Sequence, residues 1–226
     1  GRRRFFWQRK TGSHDRGNEK MKEGLIFLNG DAPSEKTLKS ISFAGKTVIC
    51  ADGALRYLQK YIEPDVIMGD FDSLGYIPTG KNVKKFPIDK DYTDGHLVVK
   101  EAAELGIGSV EIYGGFGGRI DHEYANIALL ALADWYEIKA VLKGEKADVY
   151  YTKGDISIVC GKNKIVSIVP YSDTAHIIQT RGLKFDAGGL ILNKLHLIGM
   201  SNQSVCDEIS ISVGKGEGSV LIFVER

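Results

Sequence analysis

Five aspartates lie in two short segments of this chain. Asp70 and Asp72 belong to Gly69-Asp70-Phe71-Asp72-Ser73, and three more lie between Asp89 and Asp94. Two like charges about 4 Å apart repel by roughly 1 to 4 kcal/mol, depending on the local dielectric, so a bound cation is the simplest reason to keep such a cluster. Carboxylate oxygens suit Mg²⁺, which commonly binds together with substrate phosphates. The sequence therefore predicts a phosphorylated, metal-bound substrate.

The elements around these aspartates predict that they meet at one edge of a sheet. Short apolar runs alternate with helical patterns up to about residue 145, which predicts a parallel sheet covered by helices on both faces. Ligands of such sheets bind beyond the carboxyl ends of the strands. Asp52, Asp70 and Asp72 each follow a predicted strand, and Asp94 lies in the first turn of a predicted helix. Ordinary helix capping is the alternative for any one of them.

The spacing within the first aspartate segment predicts how its side chains point. Residues two apart in an extended segment lie on the same side. We therefore expect Asp70 and Asp72 to face one cation while Phe71 turns into the core, with Asp94 as a further ligand.

The secondary structure predicted for the first part of the chain alternates strongly. The predicted strands are Gly24–Asn29, Thr47–Cys50, Val66–Met68, Val83–Phe86, Val110–Tyr113 and Ile138–Leu142. The predicted helices are Ser34–Phe43, Ala54–Tyr61, a helix N-capped by Thr93, and Ile120–Trp135. These elements predict an α/β domain of three layers over residues 21–145.

The pattern changes after about residue 145. The predicted strands there are Val149–Thr152, Ile156–Cys160, Lys164–Val169, His176–Thr180, Leu195–Ile198, Ile209–Val213 and Ser219–Val224. Short β-rich runs separated by Gly, Asn, Asp and Pro are typical of an antiparallel β-sandwich or barrel. We expect this second domain, a β-sandwich, to cover residues 146–226.

Composition narrows the class of protein. The chain of 226 residues is 43% hydrophobic and 26% charged, which fits a globular protein, and no apolar run is long enough to predict a membrane span. Its three widely spaced cysteines favour a reducing cytoplasm over a disulfide framework. Residues 1–20 carry seven basic and two acidic side chains, so the other residues carry a net charge of −4. We expect residues 1–20 to be an extension outside the fold, and the mildly acidic remainder argues against a nucleic-acid partner.

A glycine-rich run follows the strand predicted at Val110–Tyr113. It reads Gly114-Gly115-Phe116-Gly117-Gly118 and is followed by Arg119, Asp121 and His122 at the start of a predicted helix. Glycines allow a backbone to approach a phosphate, and the first N–H groups of a helix bind anions. Arg119 is suited to phosphate oxygens. The spacing matches neither a dinucleotide fingerprint nor a P-loop, and a tight turn is the alternative.

The chain resembles the thiamine pyrophosphokinase family through four motifs in the same order. They are Ala51-Asp52-Gly53, Pro64-Asp65 with Gly69-Asp70-Phe71-Asp72-Ser73, Asp89-Lys90-Asp91-Tyr92-Thr93-Asp94, and Gly117-Gly118-Arg119-Ile120-Asp121-His122. Weaker matches follow at Gly182-Leu183-Lys184 and Gly199-Met200-Ser201-Asn202. Together they cover residues 24 to 224.

This resemblance implies an activity and a set of roles. The family transfers the pyrophosphoryl group of ATP to the hydroxyl of thiamine, as a homodimer whose active sites lie between subunits. By motif, Asp52, Asp70, Asp72 and Asp94 would hold Mg²⁺, with the last three catalytic. Lys90, Thr93, Arg119 and Asp121 would bind ATP and its phosphates, whereas Ser201 and Asn202 would line the thiamine pocket.

Two other functions stay open at this point. One is a different Mg²⁺-dependent transferase that uses nucleotides, which explains the acidic segments but not Ser201-Asn202. The other is a noncatalytic thiamine or nucleotide sensor on the same fold, against which the intact Asp70, Asp72 and Asp94 argue.

Overall fold

The computed structural model describes residues 21–72, 74–80, 82–86 and 92–226. Its strands are β1 (Glu23–Phe27), β2 (Thr47–Ala51), β3 (Val66–Gly69), β4 (Val83–Lys85), β5 (Ser109–Tyr113), β6 (Lys139–Lys143), β7 (Ala147–Thr152), β8 (Asp155–Val159), β9 (Ile165–Pro170), β10 (Thr174–Arg181), β11 (Ile191–Asn193), β12 (Asn202–Gln203), β13 (Glu208–Val213) and β14 (Val220–Glu225). Its helices are α1 (Glu35–Ser40), α2 (Leu55–Leu58), α3 (Asp94–Glu104) and α4 (Ile120–Trp135), and a 3₁₀ turn covers Asp52–Ala54.

The described residues form two sheets. The larger has the order β12-β9-β14-β7-β6-β5-β1-β2-β3-β4, and the smaller has the order β11-β10-β13-β8. Strands β6, β5, β1, β2, β3 and β4 run parallel, while β7 pairs antiparallel with β6 and the sheet continues through β14 and β9. The predicted α/β domain followed by an antiparallel sandwich is thus confirmed, although one sheet runs through both parts. The division at residue 145 stays a prediction.

Helices cover both faces of the parallel part. On one face Ile26, Ile49 and Ile112 pack against α3 and α4. On the other face Leu25 and Phe27 pack against α1 and α2. This alternation follows from the period of two in a strand, and burying each such side chain contributes roughly 1.5 to 3 kcal/mol. The packing therefore fixes where the carboxyl ends of these strands lie.

The second hydrophobic core joins the two sheets. Its buried members include Ile168 and Ile222 of the larger sheet and Ile177 and Ile209 of the smaller one. These residues form the interior of the sandwich. None of the helices among the described residues has the length and apolar character that crossing a membrane requires.

Local signals in the sequence locate several element boundaries. Helix α4 has the predicted bounds, Ile120–Trp135. Thr93 caps α3 as predicted, because its Oγ1 accepts a hydrogen bond from the His96 N–H (3.2 Å). The helix predicted over Ala54–Tyr61 is shorter, since Asp52–Ala54 form a 3₁₀ turn before α2.

The strand predicted at Leu195–Ile198 is wrong. This segment lies in turns between β11 and β12. The backbone N–H groups of Leu195 and His196 both donate to Asn193 Oδ1 (3.0 Å each), and this side-chain bonding replaces a strand ladder. Its apolar side chains are exposed, to 88% for Leu195, so apolar character here does not indicate a buried strand.

Candidate metal and phosphate site

Three aspartates meet at the carboxyl ends of β2 and β3. Asp52 follows β2, and Asp70 and Asp72 follow β3, which pairs in parallel with β2. One carboxylate oxygen from each of the three lies within 4.8 Å of the other two. Asp52 is buried (3% exposed), Asp70 is half-buried and Asp72 is exposed. The cluster therefore runs from the protein interior out to solvent.

The backbone that presents these carboxylates is unusual. Phe71 is buried as predicted, but its φ of 65° is left-handed, so the segment is not extended as expected. The Asp72 N–H donates to Asp70 Oδ1 (3.1 Å), and this turn keeps the two aspartates together. Asp52 also has a positive φ, 27°. Such conformations cost about 1–3 kcal/mol each and concentrate at functional sites.

Close packing fixes the buried aspartate. A Cβ at Gly69 would lie 2.7 Å from the Asp52 Cβ, so only glycine allows β3 to pass this close. Cys50 lies two residues before Asp52, and the pKa of its thiol is raised by burial and then by the negative charge of Asp52. The thiol therefore stays protonated and unreactive at neutral pH.

The loop after β1 joins the site to the glycine-rich run. The Gly30 N–H donates to the Gly114 carbonyl and the Asp31 N–H donates to the Phe116 carbonyl, both at 2.8 Å. A Cβ at Gly53 would lie 2.2 Å from Asn29 Oδ1, which shows how closely Asn29 approaches the Asp52 turn. Sequence reasoning missed Asn29. Its position at the carboxyl end of the predicted strand Gly24–Asn29 was the available signal.

The glycine-rich run is held from α4. Gly114, Gly117 and Gly118 have φ values of 68°, 86° and 79°. The Gly117 N–H donates to Glu123 Oε1 (2.6 Å), and Asn126 Nδ2 donates to the Gly115 carbonyl (2.9 Å). The amide of Gly117 is thus bound by a carboxylate of the chain itself. Sequence reasoning also missed Glu123 and Asn126, because their contacts depend on the fold of the loop.

Arg119 and Asp121 bind each other. Arg119 Nε donates to Asp121 Oδ1 (3.1 Å) and Nη2 donates to Oδ2 (2.6 Å), with both side chains largely exposed. The hydrogen bond to Arg119 lowers the pKa of Asp121 below its ordinary value. The pair stands at the start of α4, outside the three-aspartate cluster. Their predicted contacts with ATP stay predictions.

The remaining predicted residues of the first domain lie near α3 or outside the described residues. Thr93 uses its side chain to cap α3, and Asp94 begins that helix. Among the described residues, the group of carboxylates suited to a metal does not include Asp94. Lys90 lies outside the described residues, as do residues 1–20. The metal-binding role of Asp94 stays a prediction.

Ser201 and Asn202 lie on the sandwich at the opposite end of the larger sheet. Asn202 is buried, and its amide binds both sides of Phe185: Oδ1 accepts from the Phe185 N–H (3.1 Å) and Nδ2 donates to the Phe185 carbonyl (2.6 Å). Ser201 is exposed with a φ of 57°, and its N–H donates to Ser167 Oγ (3.0 Å). Ser201 therefore presents its hydroxyl at the surface, whereas Asn202 holds a neighbouring segment.

Known proteins of one family are similar to this chain in sequence. The sequence model described as "Thiamin pyrophosphokinase, catalytic domain" matches residues 38–142. Thiamin pyrophosphokinase 1 of Caenorhabditis elegans is 26% identical over 216 residues, 88% of this chain and 88% of that protein. Thiamine pyrophosphokinase of Bacillus subtilis is 27% identical over 180 residues, 76% of this chain and 83% of that protein. These matches all indicate the thiamine pyrophosphokinase family.

Solved structures of the thiamine pyrophosphokinase family share the fold. The crystal structure of the Bacillus subtilis protein superposes with a TM-score of 0.77 at 23% identity, covering 90% of this chain and 99% of that one. The Candida albicans protein gives 0.72 at 14% identity, covering 91% and 93%. The family match over residues 38–142 contains Asp52, Asp70 and Asp72. The three-aspartate cluster thus lies within the stretch that matches the catalytic-domain model.

Proposed function

We propose that the protein transfers the pyrophosphoryl group of ATP to the hydroxyl of thiamine, giving thiamine diphosphate and AMP. The observation that carries this proposal is the meeting of Asp52, Asp70 and Asp72 at the carboxyl ends of two parallel strands. This is where ligands of α/β sheets bind, and the family match covers it. The cluster supplies what a polyphosphate substrate needs, a site for a divalent cation.

The donor set fits Mg²⁺. All three ligand groups are carboxylates, and one oxygen of each lies within 4.8 Å of the others. Hard oxygen donors at such spacing suit Mg²⁺, which keeps part of its water shell and shares substrate phosphates. Bound there, Mg²⁺ would neutralise phosphate charge and align the β-phosphorus for attack.

The residues of the chain have separate tasks in this reaction. Asp52, buried and packed against Gly69, would bind the cation from the protein interior, and the exposed Asp72 would bind it from the solvent side. Phe71, between Asp70 and Asp72 in the sequence, is buried in the core. Thr93, Lys90 and the Arg119–Asp121 pair are proposed to bind ATP, and Asp94 to add a ligand as ATP enters. Orientation of this kind supplies roughly 7–11 kcal/mol of the barrier reduction in well-aligned reactions.

The sheet order supports a homodimer with active sites between subunits. Strands β12 and β2 are separated by seven strand-to-strand steps, which at about 4.8 Å a step amounts to roughly 30 Å. Ser201 of one subunit is therefore too far from Asp52 of the same subunit to bind the same thiamine molecule. The exposed apolar side chains of Leu195, Ile198 and Met200 beside Ser201 also suit a subunit contact. We propose that Ser201 and Asn202 complete the partner's site.

The cysteines support a proposal for the compartment. Cys50, Cys160 and Cys206 are all free thiols, which supports a reducing compartment. We propose a cytoplasmic location on this ground.

One incubation separates the proposed function from its rivals. Purified protein is mixed with Mg²⁺, ATP and thiamine, and the nucleotide product is identified by chromatography. AMP with thiamine diphosphate is the expected result. ADP would indicate a simple kinase, and AMP with an acceptor other than thiamine would indicate another transferase. Tight binding of thiamine or ATP without turnover would instead indicate a sensor.

A Ser201→Ala variant is expected to weaken thiamine binding several-fold while ATP binding changes little. A neutral hydrogen bond contributes about 0.5–1.5 kcal/mol, and Ser201 lies far from the three-aspartate cluster. Equilibrium binding of each substrate measures the difference. Asn202→Ala should weaken thiamine more than ATP too, through the Phe185 segment that its amide holds. A loss of ATP affinity with unchanged thiamine affinity would contradict this division between the two ends of the sheet.

A further inference from the structure

Glu123 of α4 touches the glycine-rich run but belongs to none of the family motifs. We propose that Glu123 is a positioning residue: its carboxylate fixes Gly114–Gly118 in the conformation that receives the phosphates of ATP. The inference rests on the proposed function. It assigns a task to a side chain next to the predicted phosphate-binding residues.

The contact itself is short and directed. The Gly117 N–H donates to Glu123 Oε1 at 2.6 Å, and hydrogen bonds to an ionised acceptor are about twice as strong as neutral ones. Gly117 has a φ of 86°, and a Cβ there would lie 2.0 Å from Asp31 Cγ. Gly117 is therefore enclosed by Glu123 through its amide and by Asp31 on its α-carbon. These two contacts and the positive φ of Gly117 restrict the backbone of the glycine-rich run at this residue.

A second contact from the same helix acts with the first. Asn126 lies one turn beyond Glu123, on the same face of α4, and its Nδ2 donates to the Gly115 carbonyl (2.9 Å). The N-cap residue Arg119 makes no side-chain capping bond. Glu123 reaches back to the chain before the helix, so its side chain joins the first turns of α4 to the glycine-rich run.

The position of the loop decides where Arg119 points. Gly118 and Arg119 directly follow the amide that Glu123 binds. The Arg119 guanidinium is exposed and bound to Asp121 of the first turn. Release of Gly117 lets this pair shift relative to the cluster of Asp52, Asp70 and Asp72. The effect expected is on ATP, because thiamine binding is proposed to depend on Ser201 at the other end of the sheet.

The test compares Glu123→Ala, Glu123→Gln and a matched control, Glu145→Gln. Glu145 also accepts a backbone N–H, from Ser34 at 2.8 Å, but not from the glycine-rich run. The first measurement is the Kd of Mg²⁺ with α,β-methylene-ATP, which cannot be cleaved at the reacting bond. We expect Glu123→Ala to raise this Kd about tenfold, as loss of a charge-assisted hydrogen bond implies. Glu123→Gln keeps an acceptor oxygen and should stay within about threefold of wild type, and so should Glu145→Gln.

Two further measurements separate positioning from general stability. Hydrogen exchange at the Gly117 amide should speed up about tenfold in Glu123→Ala, with the thermal midpoint nearly unchanged. In turnover the KM for ATP should rise while the KM for thiamine stays constant. An unchanged Kd for the analogue, or a wild type that does not bind it, would overturn the inference. A wild type that binds the analogue with the expected Glu123 dependence but forms no AMP would refute the proposed function alone.

Discussion

An Asp72→Asn variant is expected to fold normally and to lose roughly 10²- to 10³-fold in kcat, the usual effect of removing one preorganised electrostatic contact. The amide has nearly the same shape as the carboxylate, and Asp72 is exposed, so folding does not depend on its charge. The change removes one of three negative charges from the cluster. Since the cation acts mainly on charge in the transition state, kcat should fall far more than substrate binding.

Two further consequences make this variant informative. Fewer like charges within 4.8 Å lower the repulsion in the metal-free protein, so its thermal midpoint should stay equal or rise slightly. Higher Mg²⁺ should restore part of the activity if the defect lies in metal affinity. The measurement is kcat at rising Mg²⁺ beside thermal unfolding without metal.

Asp173→Asn provides the matched control. The Asp173 side chain is fully exposed (100%) on the β-sandwich, where it pairs with Lys194. The same chemical change there should leave both kcat and its Mg²⁺ dependence at wild-type values. Full activity of a well-folded Asp72→Asn protein would refute the metal role of the cluster.

The sequence predicts the edge of the sheet well because local patterns determine it. Alternating apolar runs locate β2 and β3, and the residues that follow them must then lie side by side. The Asp52, Asp70 and Asp72 cluster follows from that arrangement alone. Thr93 as an N-cap is equally local, since the signal and the contact lie within four residues.

The features that sequence reasoning missed depend on distant contacts. The positive φ of Phe71 and the Glu123–Gly117 bond belong to the folded loops, and no local pattern in the sequence predicts them. The apolar run at Leu195–Ile198 resembles a strand, but the N–H groups of Leu195 and His196 donate to the Asn193 side chain instead of to a neighbouring strand. The passage of one sheet through both parts depends on β6 pairing with β7 across a short turn, which composition does not reveal.

Breaking the ion pair between Lys84 and Glu101 is expected to lower the stability of the protein substantially. Lys84 of β4 contacts Glu101 of α3 at 2.5 Å, with the Glu101 side chain 6% exposed and that of Lys84 46% exposed. A Lys84→Met variant leaves a buried carboxylate without this cation. Breaking one partner of a buried pair costs about 3–5 kcal/mol. Because water reaches Lys84, we expect the free energy of unfolding to fall by about 2–3 kcal/mol, at or below the low end of that range.

The double variant Lys84→Met/Glu101→Leu tests whether the stability lost in Lys84→Met comes from the buried carboxylate of Glu101 without its cation. Replacing a buried ion pair by apolar residues of similar size is often neutral, so the double variant should regain most of the stability lost in Lys84→Met. Urea unfolding of the wild type, both single variants and the double variant gives the coupling free energy. Lys39→Met is the control, since Lys39 and Glu35 are 66% and 69% exposed and such pairs contribute less than about 1 kcal/mol. Equal losses of stability in Lys84→Met and Lys39→Met would contradict a special contribution of the buried pair between β4 and α3.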